Sequence, residues 1–354
     1  MELARQFINV NGLADKTSVS MRSWMNRLTR NDVACVVSLI LAQLSGLRTL
    51  SLYTGPGLTS DVFTSMLSAV FWRVFCRTPR ATMSGFEKLT SFEWQDSIRS
   101  DHSRRVIILP ILGACNLKHA FIAHNTKWQD VQKDVQAFWL PSTTNLTALT
   151  LLNPLVSDAD IMKILTRTPR LRVFSWTSQR LGTQPFHGYK LREALLSCRH
   201  TLIELSLRLS CTSFCAPGVE PVQTPLGRLL DFTALCSIAV PIDVLLVLVR
   251  GPGDTKRVLP STFPKTLLAL TLFPPLFRRL TTAIDQPCEL LRPLVQRLES
   301  MYHQCTPRLA LVDIFLSRPH DVARRNTESG TVLWGTYGRV MCFQLVYRRT
   351  GRNY

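Results

Sequence analysis

Four cysteine and histidine residues lie near one another in the sequence between residues 198 and 215, and these are the residue types that bind zinc. Cys211 and Cys215 are separated by three residues, and Cys198 and His200 supply the nearest further ligand types. A structural zinc site needs four such donors at short, defined spacings, which these four residues do not have. We therefore expect no metal site in this protein.

Residues Gly251 to Lys256 come nearest to a phosphate-binding loop, with the sequence Gly-Pro-Gly-Asp-Thr-Lys. The second glycine and the Lys-Ser or Lys-Thr ending of such loops are missing, so we interpret the segment as a turn. The motifs of serine hydrolases, zinc proteases and dithiol oxidoreductases do not occur, and His102, His124 and His200 have the sequence context of loop residues rather than bases. We expect neither catalysis nor a cofactor.

The stretch from Asn145 to Pro169 contains one complete strand-helix repeat. Its leucines at 146, 149 and 151 form the pattern L-x-x-L-x-L, whose end alternates like a half-buried strand. Ser157 and Asp160 then resemble a capping pair, and an apolar stripe at helical spacing follows until Pro169. One such repeat has no core of its own, so it must stack on further copies.

Eight looser copies give nine repeats in all. The first leucines of the first and last copy, Leu47 and Leu309, are 262 residues apart over eight intervals, a mean of about 33 residues. The copies are Leu47, Leu50 and Leu52; Leu89, Phe92 and Trp94; Leu117, Ala120 and Ile122; Leu146, Leu149 and Leu151; Leu171, Phe174 and Trp176; Leu202, Leu205 and Leu207; Leu235, Ile238 and Val240; Leu267, Leu270 and Leu272; and Leu309, Val312 and Ile314.

The remaining segments predict caps, helices and loops around this array. We expect an N-terminal helical cap over 1–46, a repeat array over 47–317, and a polar loop with two capping strands over 318–354. Predicted helices cover 17–30, 32–44, 61–76, 130–139, 189–198, a turn from Pro241 through Leu248, and 282–304. Asn31 should cap the helix at 32–44, and this helix should be buried nearly all round. Predicted loops cover 216–225, 251–256 and 318–330, and predicted C-terminal strands cover 331–334 and 340–347.

Side chains between the buried leucines should point to the concave face, where repeat arrays usually bind partners. Aromatic side chains there could anchor a protein, since a few large residues carry most interface energy. The candidate partner-binding residues are Tyr53, Glu93, Gln95, His119, Phe121, Glu204, Arg208, Phe273, Asp313 and Phe315.

The formal net charge of +18 suggests an acidic partner or a nucleic acid. The basic residues lie in short groups, and among the candidate concave positions only Arg208 is cationic, so most of this charge must lie on helices and loops.

We find no export signal and no apolar run long enough to span a bilayer, so we expect a cytoplasmic or nuclear protein with reduced cysteines. Cysteines in apolar surroundings should act as small hydrophobic residues; these are Cys35, Cys76, Cys115 and Cys236.

In the stretch from Asp32 to Leu52 an apolar helix leads into the first strand, and the later stretches 229–246 and 259–272 have recurring leucine patterns. These three stretches resemble fungal leucine-rich repeat proteins related to F-box substrate receptors. The resemblance implies an α/β horseshoe of the ribonuclease-inhibitor kind, with strands inside and helices outside. In that family an N-terminal F-box docks onto the Skp adaptor of a cullin ubiquitin ligase, but no residue here matches the F-box opening.

We expect a leucine-rich repeat solenoid that acts as a non-catalytic scaffold and binds a protein partner through its concave face. Two alternatives remain open. The chain could be the substrate-recognition part of an F-box ubiquitin ligase, with the F-box supplied upstream, or a nucleic-acid binder that uses an Arg-rich convex side.

Overall fold

The computed structural model describes residues 1–10, 13–14, 20–44, 46–54, 70, 86–96, 111–112, 114–123, 145–153, 158–180, 186–211, 222–245, 247–251, 254–258, 263–273, 309, 311–316, 326–327, 330–337 and 340–346. The chain divides into two units, Met1–Leu171 and Arg172–Tyr354. Both contain parallel strands, so the protein is α/β with a mostly parallel, open sheet. The predicted helices at 61–76, 130–139 and 282–304 lie outside the described residues, apart from Val70. The predicted domain boundaries at 46 and 317 stay predictions.

The first unit begins with three helices, α1 (Glu2–Val10), α2 (Met21–Thr29) and α3 (Val33–Gln43). Ser20 caps α2 by accepting the Ser23 amide at 3.2 Å. The indole of buried Trp24 donates to the carbonyl of Leu13 at 3.3 Å, which fixes α2 against the chain before it. Helices are therefore present where the sequence predicts an N-terminal helical segment.

Helix α3 differs from the sequence prediction in two ways. Asn31 does not cap it: Asn31 takes a left-handed φ of 53°, and the carbonyl of Asp32 accepts the amides of Cys35 and Val36. The helix is also not buried all round, because Val33, Val36, Ile40 and Leu44 are 40–59% exposed along one side. Apolar composition predicts the helix, but only the fold determines which of its sides is covered.

Four parallel strands follow in the first unit, in sheet order β1 (Thr49–Thr54), β2 (Ser91–Asp96), β3 (His119–Ala123) and β4 (Ala148–Leu152). Helix α4 (Asp158–Leu165) follows β4, with Asp158 and Asp160 in its first turn, where carboxylates favour the helix dipole. The predicted strand-helix repeat after Asn145 is confirmed. Its apolar stripe is buried through Ile161, Ile164 and Leu165.

The second unit holds an open sheet of eight strands in the order β5-β7-β9-β12-β13-β16-β15-β14. The first five are parallel, and the last three continue the sheet antiparallel from β13. The strands are β5 (Val173–Arg180), β7 (Glu204–Cys211), β9 (Ser237–Pro241), β12 (Ala269–Phe273), β13 (Leu311–Leu316), β14 (Asn326–Thr327), β15 (Gly330–Tyr337) and β16 (Val340–Val346). The two predicted C-terminal strands are confirmed.

Two short strand pairs and two helices are the other described elements of the second unit. Strands β6 (Phe186–His187) and β8 (Val222–Thr224) pair in parallel and flank α5 (Gly188–Leu195), which continues as a 3-10 turn to Cys198. The predicted helix at 189–198 is confirmed. Arg192 on α5 donates to the Arg228 carbonyl and pairs with Glu193 and Asp231, so α5 is held to the loop before β9.

The segment after β9 is folded differently from the sequence prediction. Pro241 ends β9, helix α6 covers only Ile242–Leu245, and Leu248 lies in β10 (Val247–Gly251). Strand β10 pairs antiparallel with β11 (Asp254–Val258), so the predicted loop at 251–256 belongs to a hairpin. The alternation of β-branched valines at 247 and 249 favours a strand over a longer helix, a local signal that the helical interpretation overlooked. The predicted loop at 216–225 also contains a strand, β8.

The repeated leucine pattern forms the core of both units. The described residues of the pattern from Leu89 to Leu272 are at most 3% exposed, and they include Trp94 and Trp176. Among the copies whose side chains are all described, the first is the looser one, because Leu47 and Leu52 are partly exposed although Leu50 is buried. The alternation of buried and outward-facing residues therefore has the predicted register.

A repeated hydrogen-bond pattern joins neighbouring repeats. The carbonyl of the residue after the first leucine of a repeat accepts two successive amides from the next repeat. These carbonyls belong to Arg48, Thr90 and Lys118 in the first unit and to Arg172, Ile203 and Cys236 in the second. Because the same pair of hydrogen bonds recurs at the same place in the sequence pattern, the paired parallel strands keep a constant register within each unit.

Candidate functional site

The outward-facing side chains of the parallel strands form a continuous face in each unit, here called the strand face. In the first unit, Ser51, Glu93, Phe121 and Thr150 are register partners on β1 to β4. All four are exposed or partly exposed, whereas the residues beside them in each strand face the core. The face is therefore available to a partner and is mixed in chemistry.

Tyr53 and Glu93 form the most polar part of the strand face in the first unit. The Ser51 hydroxyl donates to Glu93 Oε2 at 3.2 Å. A hydrogen bond from the Tyr53 phenol to the Glu93 carboxylate raises the pKa of Tyr53, so this phenol stays protonated. Tyr53 is 57% exposed, which leaves its ring available. The two hydroxyls orient a carboxylate that can accept from a cationic or hydroxyl group of a partner.

The other candidates of the first unit surround this group. Gln95 is the register partner of Tyr53 and is exposed, and Phe121 is the register partner of Glu93 and is partly exposed. His119 is exposed at the start of β3. The five predicted residues of this unit therefore lie on three neighbouring strands of one face.

In the second unit, the strand face carries Glu204, Arg208 and Phe273. Glu204 and Arg208 are exposed on β7, and Phe273 is partly exposed at the end of β12. The guanidinium of Arg208 lies over the Phe273 ring, 5.2 Å from its centroid, which is a cation–π geometry. One position predicted to face outward, Ser206, is only 8% exposed. Its side chain is short and lies on β7 between β5 and β9, so its neighbours cover it.

Asp313 and Phe315 are placed by their backbones alone. Asp313 is the register partner of Thr271 on β12 and of Gln344 on β16, and Phe315 is the register partner of Cys342. Both positions lie in strand β13 of the same sheet as Glu204, Arg208 and Phe273. The ten candidates therefore form two groups of five, one in each unit.

Two buried thiols are unsuited to nucleophilic or metal chemistry. Burial raises the pKa of Cys198 to about 12, and burial together with the Asp32 charge raises that of Cys35 to about 12. The Cys198 thiol donates to the Leu195 carbonyl and packs as a small hydrophobic group. In the part of the chain that the structure describes, no three His, Cys, Asp or Glu residues are grouped so that they could hold a metal ion.

The sequence interpretation missed a set of polar side chains in the turns that precede the strands. Asn116 donates to the Glu87 carbonyl and Asn145 to the Cys115 carbonyl, both at 2.5 Å. Arg170 then donates to Asn145 Oδ1 at 2.6 Å. The signal was present, because Asn occurs immediately before the first leucine in two consecutive repeats.

No family model, curated protein or solved structure matches this chain. Among the described residues, no helix combines the length and the hydropathy that a membrane crossing requires.

Proposed function

We propose that this protein is a leucine-rich repeat solenoid that binds a protein partner on its strand face and has no catalytic activity of its own. The repeated strand-entry hydrogen bonds support the solenoid, because each repeat takes its core and its backbone partners from its neighbours. The resemblance of three sequence stretches to fungal leucine-rich repeat proteins supports the same proposal.

The observation that carries the binding function is the composition of the strand face. Aromatic rings at Tyr53, Phe121 and Phe273 are exposed or partly exposed on otherwise flat strands. Each lies beside an oriented polar group, Glu93 in the first unit and Arg208 in the second. Large amphipathic side chains next to hydrogen-bonding groups are typical of energetically important interface residues.

Affinity purification with mass spectrometry tests this function. We would compare the intact chain with a variant that carries Phe121→Ala and Phe273→Ala, one change on each strand face. The matched control carries Val10→Ala and Tyr189→Ala, which remove exposed apolar groups from a helix of each unit, 72% and 54% exposed in the native chain. We expect partners to be lost only from the strand-face variant. Partners retained by both variants, or lost equally from both, would contradict the proposal.

Two alternative functions have their own support. The sequence resemblance favours a substrate receptor of a cullin ubiquitin ligase, for which co-purification of a Skp-type adaptor with a longer form that contains an F-box is the test.

The net charge of +18 favours nucleic-acid binding on an Arg-rich convex side. Failure to be retained on a nucleic-acid column at low salt would exclude that alternative.

A further inference from the structure

A row of cations lies at the amino ends of the strands in the first unit. It consists of Arg48, Lys88 and Lys118, which precede β1, β2 and β3, and of Arg170, which donates to Asn145 just before β4. All four are exposed, and we call them the strand-entry row. Glu87 is the one carboxylate among the described residues of the adjoining turns, at 46–49, 86–90, 114–119, 145–147 and 168–170. No carboxylate of the described part of the chain forms an ion pair with these four cations. Among the residues that the structure describes, the row therefore carries four positive charges against the single carboxylate of Glu87.

Two residues of the row, Arg48 and Lys118, accept the same set of hydrogen bonds through their backbone carbonyls. The Arg48 carbonyl accepts the amides of Thr90 and Ser91 and the Thr90 hydroxyl, the last at 3.1 Å. The Lys118 carbonyl accepts the amides of Thr147 and Ala148 and the Thr147 hydroxyl, at 3.0 Å. Three hydrogen bonds to one carbonyl fix the backbone of Arg48 and that of Lys118, so little backbone entropy is lost when these two side chains bind.

The spacing of the row fits an extended chain. Thr49, Ser91 and His119 are register partners, so Arg48 and Lys118 precede matched positions two strands apart. Adjacent strands are about 4.8 Å apart, which separates these two backbones by about 10 Å. A polyproline II peptide places every third side chain on one side, about 9 Å apart.

We propose that the strand-entry row of the first unit binds an extended acidic peptide segment, one rich in Asp or Glu. A single-stranded nucleic acid would offer the same charge, but such ligands normally also stack on aromatic side chains. The described turns around the row expose no Phe, Tyr or Trp. The row precedes the strands, so this site is separate from the strand face and does not depend on the function proposed above.

Fluorescence anisotropy with labelled oligoglutamate and with a labelled single-stranded oligonucleotide tests the site on the full chain. The row variant carries Lys88→Glu and Lys118→Glu. The matched control carries Arg22→Glu and Lys190→Glu, exposed helix positions outside the row that change the net charge equally. We expect oligoglutamate affinity to fall at least about tenfold in the row variant and less than about twofold in the control, because only the row variant reverses charges that lie on neighbouring strands and can face one acidic peptide together.

The outcomes separate the site from general charge attraction. Oligoglutamate binding should weaken with salt, since exposed charges are screened. Equal losses in the row and control variants, with native circular dichroism spectra, would overturn the proposal. Oligonucleotide binding that needs the row, without oligoglutamate binding, would assign the site to nucleic acid instead. The Phe121→Ala, Phe273→Ala variant should bind oligoglutamate normally, so this test does not depend on the strand-face partner.

Discussion

The Arg208 guanidinium lies 5.2 Å from the centroid of the Phe273 ring, although the two residues are on strands separated by β9. The long arginine side chain must cross the width of β9, where Pro241 is the register partner of Phe273. An aromatic face thereby orients a cation that would otherwise rotate freely. The contact joins two side chains that are 65 residues apart in the sequence.

We expect this contact to contribute about 0.5–1 kcal/mol to the free energy of unfolding, the range for exposed cation–π pairs. A double-mutant cycle with Arg208→Ala, Phe273→Ala and both together, followed by urea unfolding, measures it. The coupling energy isolates the pair from the separate effects of each truncation. Strictly additive changes would show that the contact stabilises nothing.

Gly188 begins helix α5 where no larger residue fits. A Cβ placed there would lie 2.6 Å from the Leu226 amide nitrogen and 2.8 Å from the Thr224 carbonyl oxygen, both backbone atoms. We expect Gly188→Ala to lower the free energy of unfolding by about 1–3 kcal/mol, because the backbone must shift.

The matched control for this substitution is Gly46→Ala, since nothing lies within 4 Å of a Cβ built at Gly46. We expect that change to leave stability within about 0.5 kcal/mol of the native value. Chemical denaturation of both variants provides the comparison. Similar midpoints for the two would mean that the close approach at α5 is absent in solution.

The buried Cys198 thiol should make stability sensitive to alkaline pH. Its pKa rises from an ordinary 9.0 to about 12 in the folded protein, so the unfolded chain releases this proton first. The contribution is fully present below pH 9 and is lost as the pH rises from about 9 to about 12. We expect Cys198→Ala to make the decline of stability over this range less steep.

The rate of alkylation is a second measure of how well the Cys198 thiol is buried. At pH 9, iodoacetamide should modify exposed Cys115 well before Cys198 or Cys35, which are buried and whose pKa values are raised. Peptide mass spectrometry measures the three rates. If Cys198 reacted as fast as Cys115, the helix that covers Cys198 would have to open readily.

The leucine pattern was sufficient to predict which residues are buried in the strands, because side chains alternate faces with a period of two. Leu149 and Leu151 are buried and Thr150 faces outward, and the same holds where Trp94 or Trp176 replaces a leucine. Composition could not predict which side of α3 is exposed, since every side of that helix is apolar. The helical interpretation of 241–248 missed the β10-β11 hairpin, because it followed the spacing of Val244, Leu245 and Leu248 and overlooked the β-branched valines at 247 and 249.

The sequence by itself determined the repeats, the burial of their leucines and the register of the strand face, since these depend on local periodicity. Only the tertiary structure decided which side chains meet. The Ser51, Tyr53 and Glu93 group, the Arg208–Phe273 contact and the strand-entry row all join residues from different repeats. Such contacts depend on the direction that each long side chain takes across neighbouring strands, which the pattern of a single repeat does not specify.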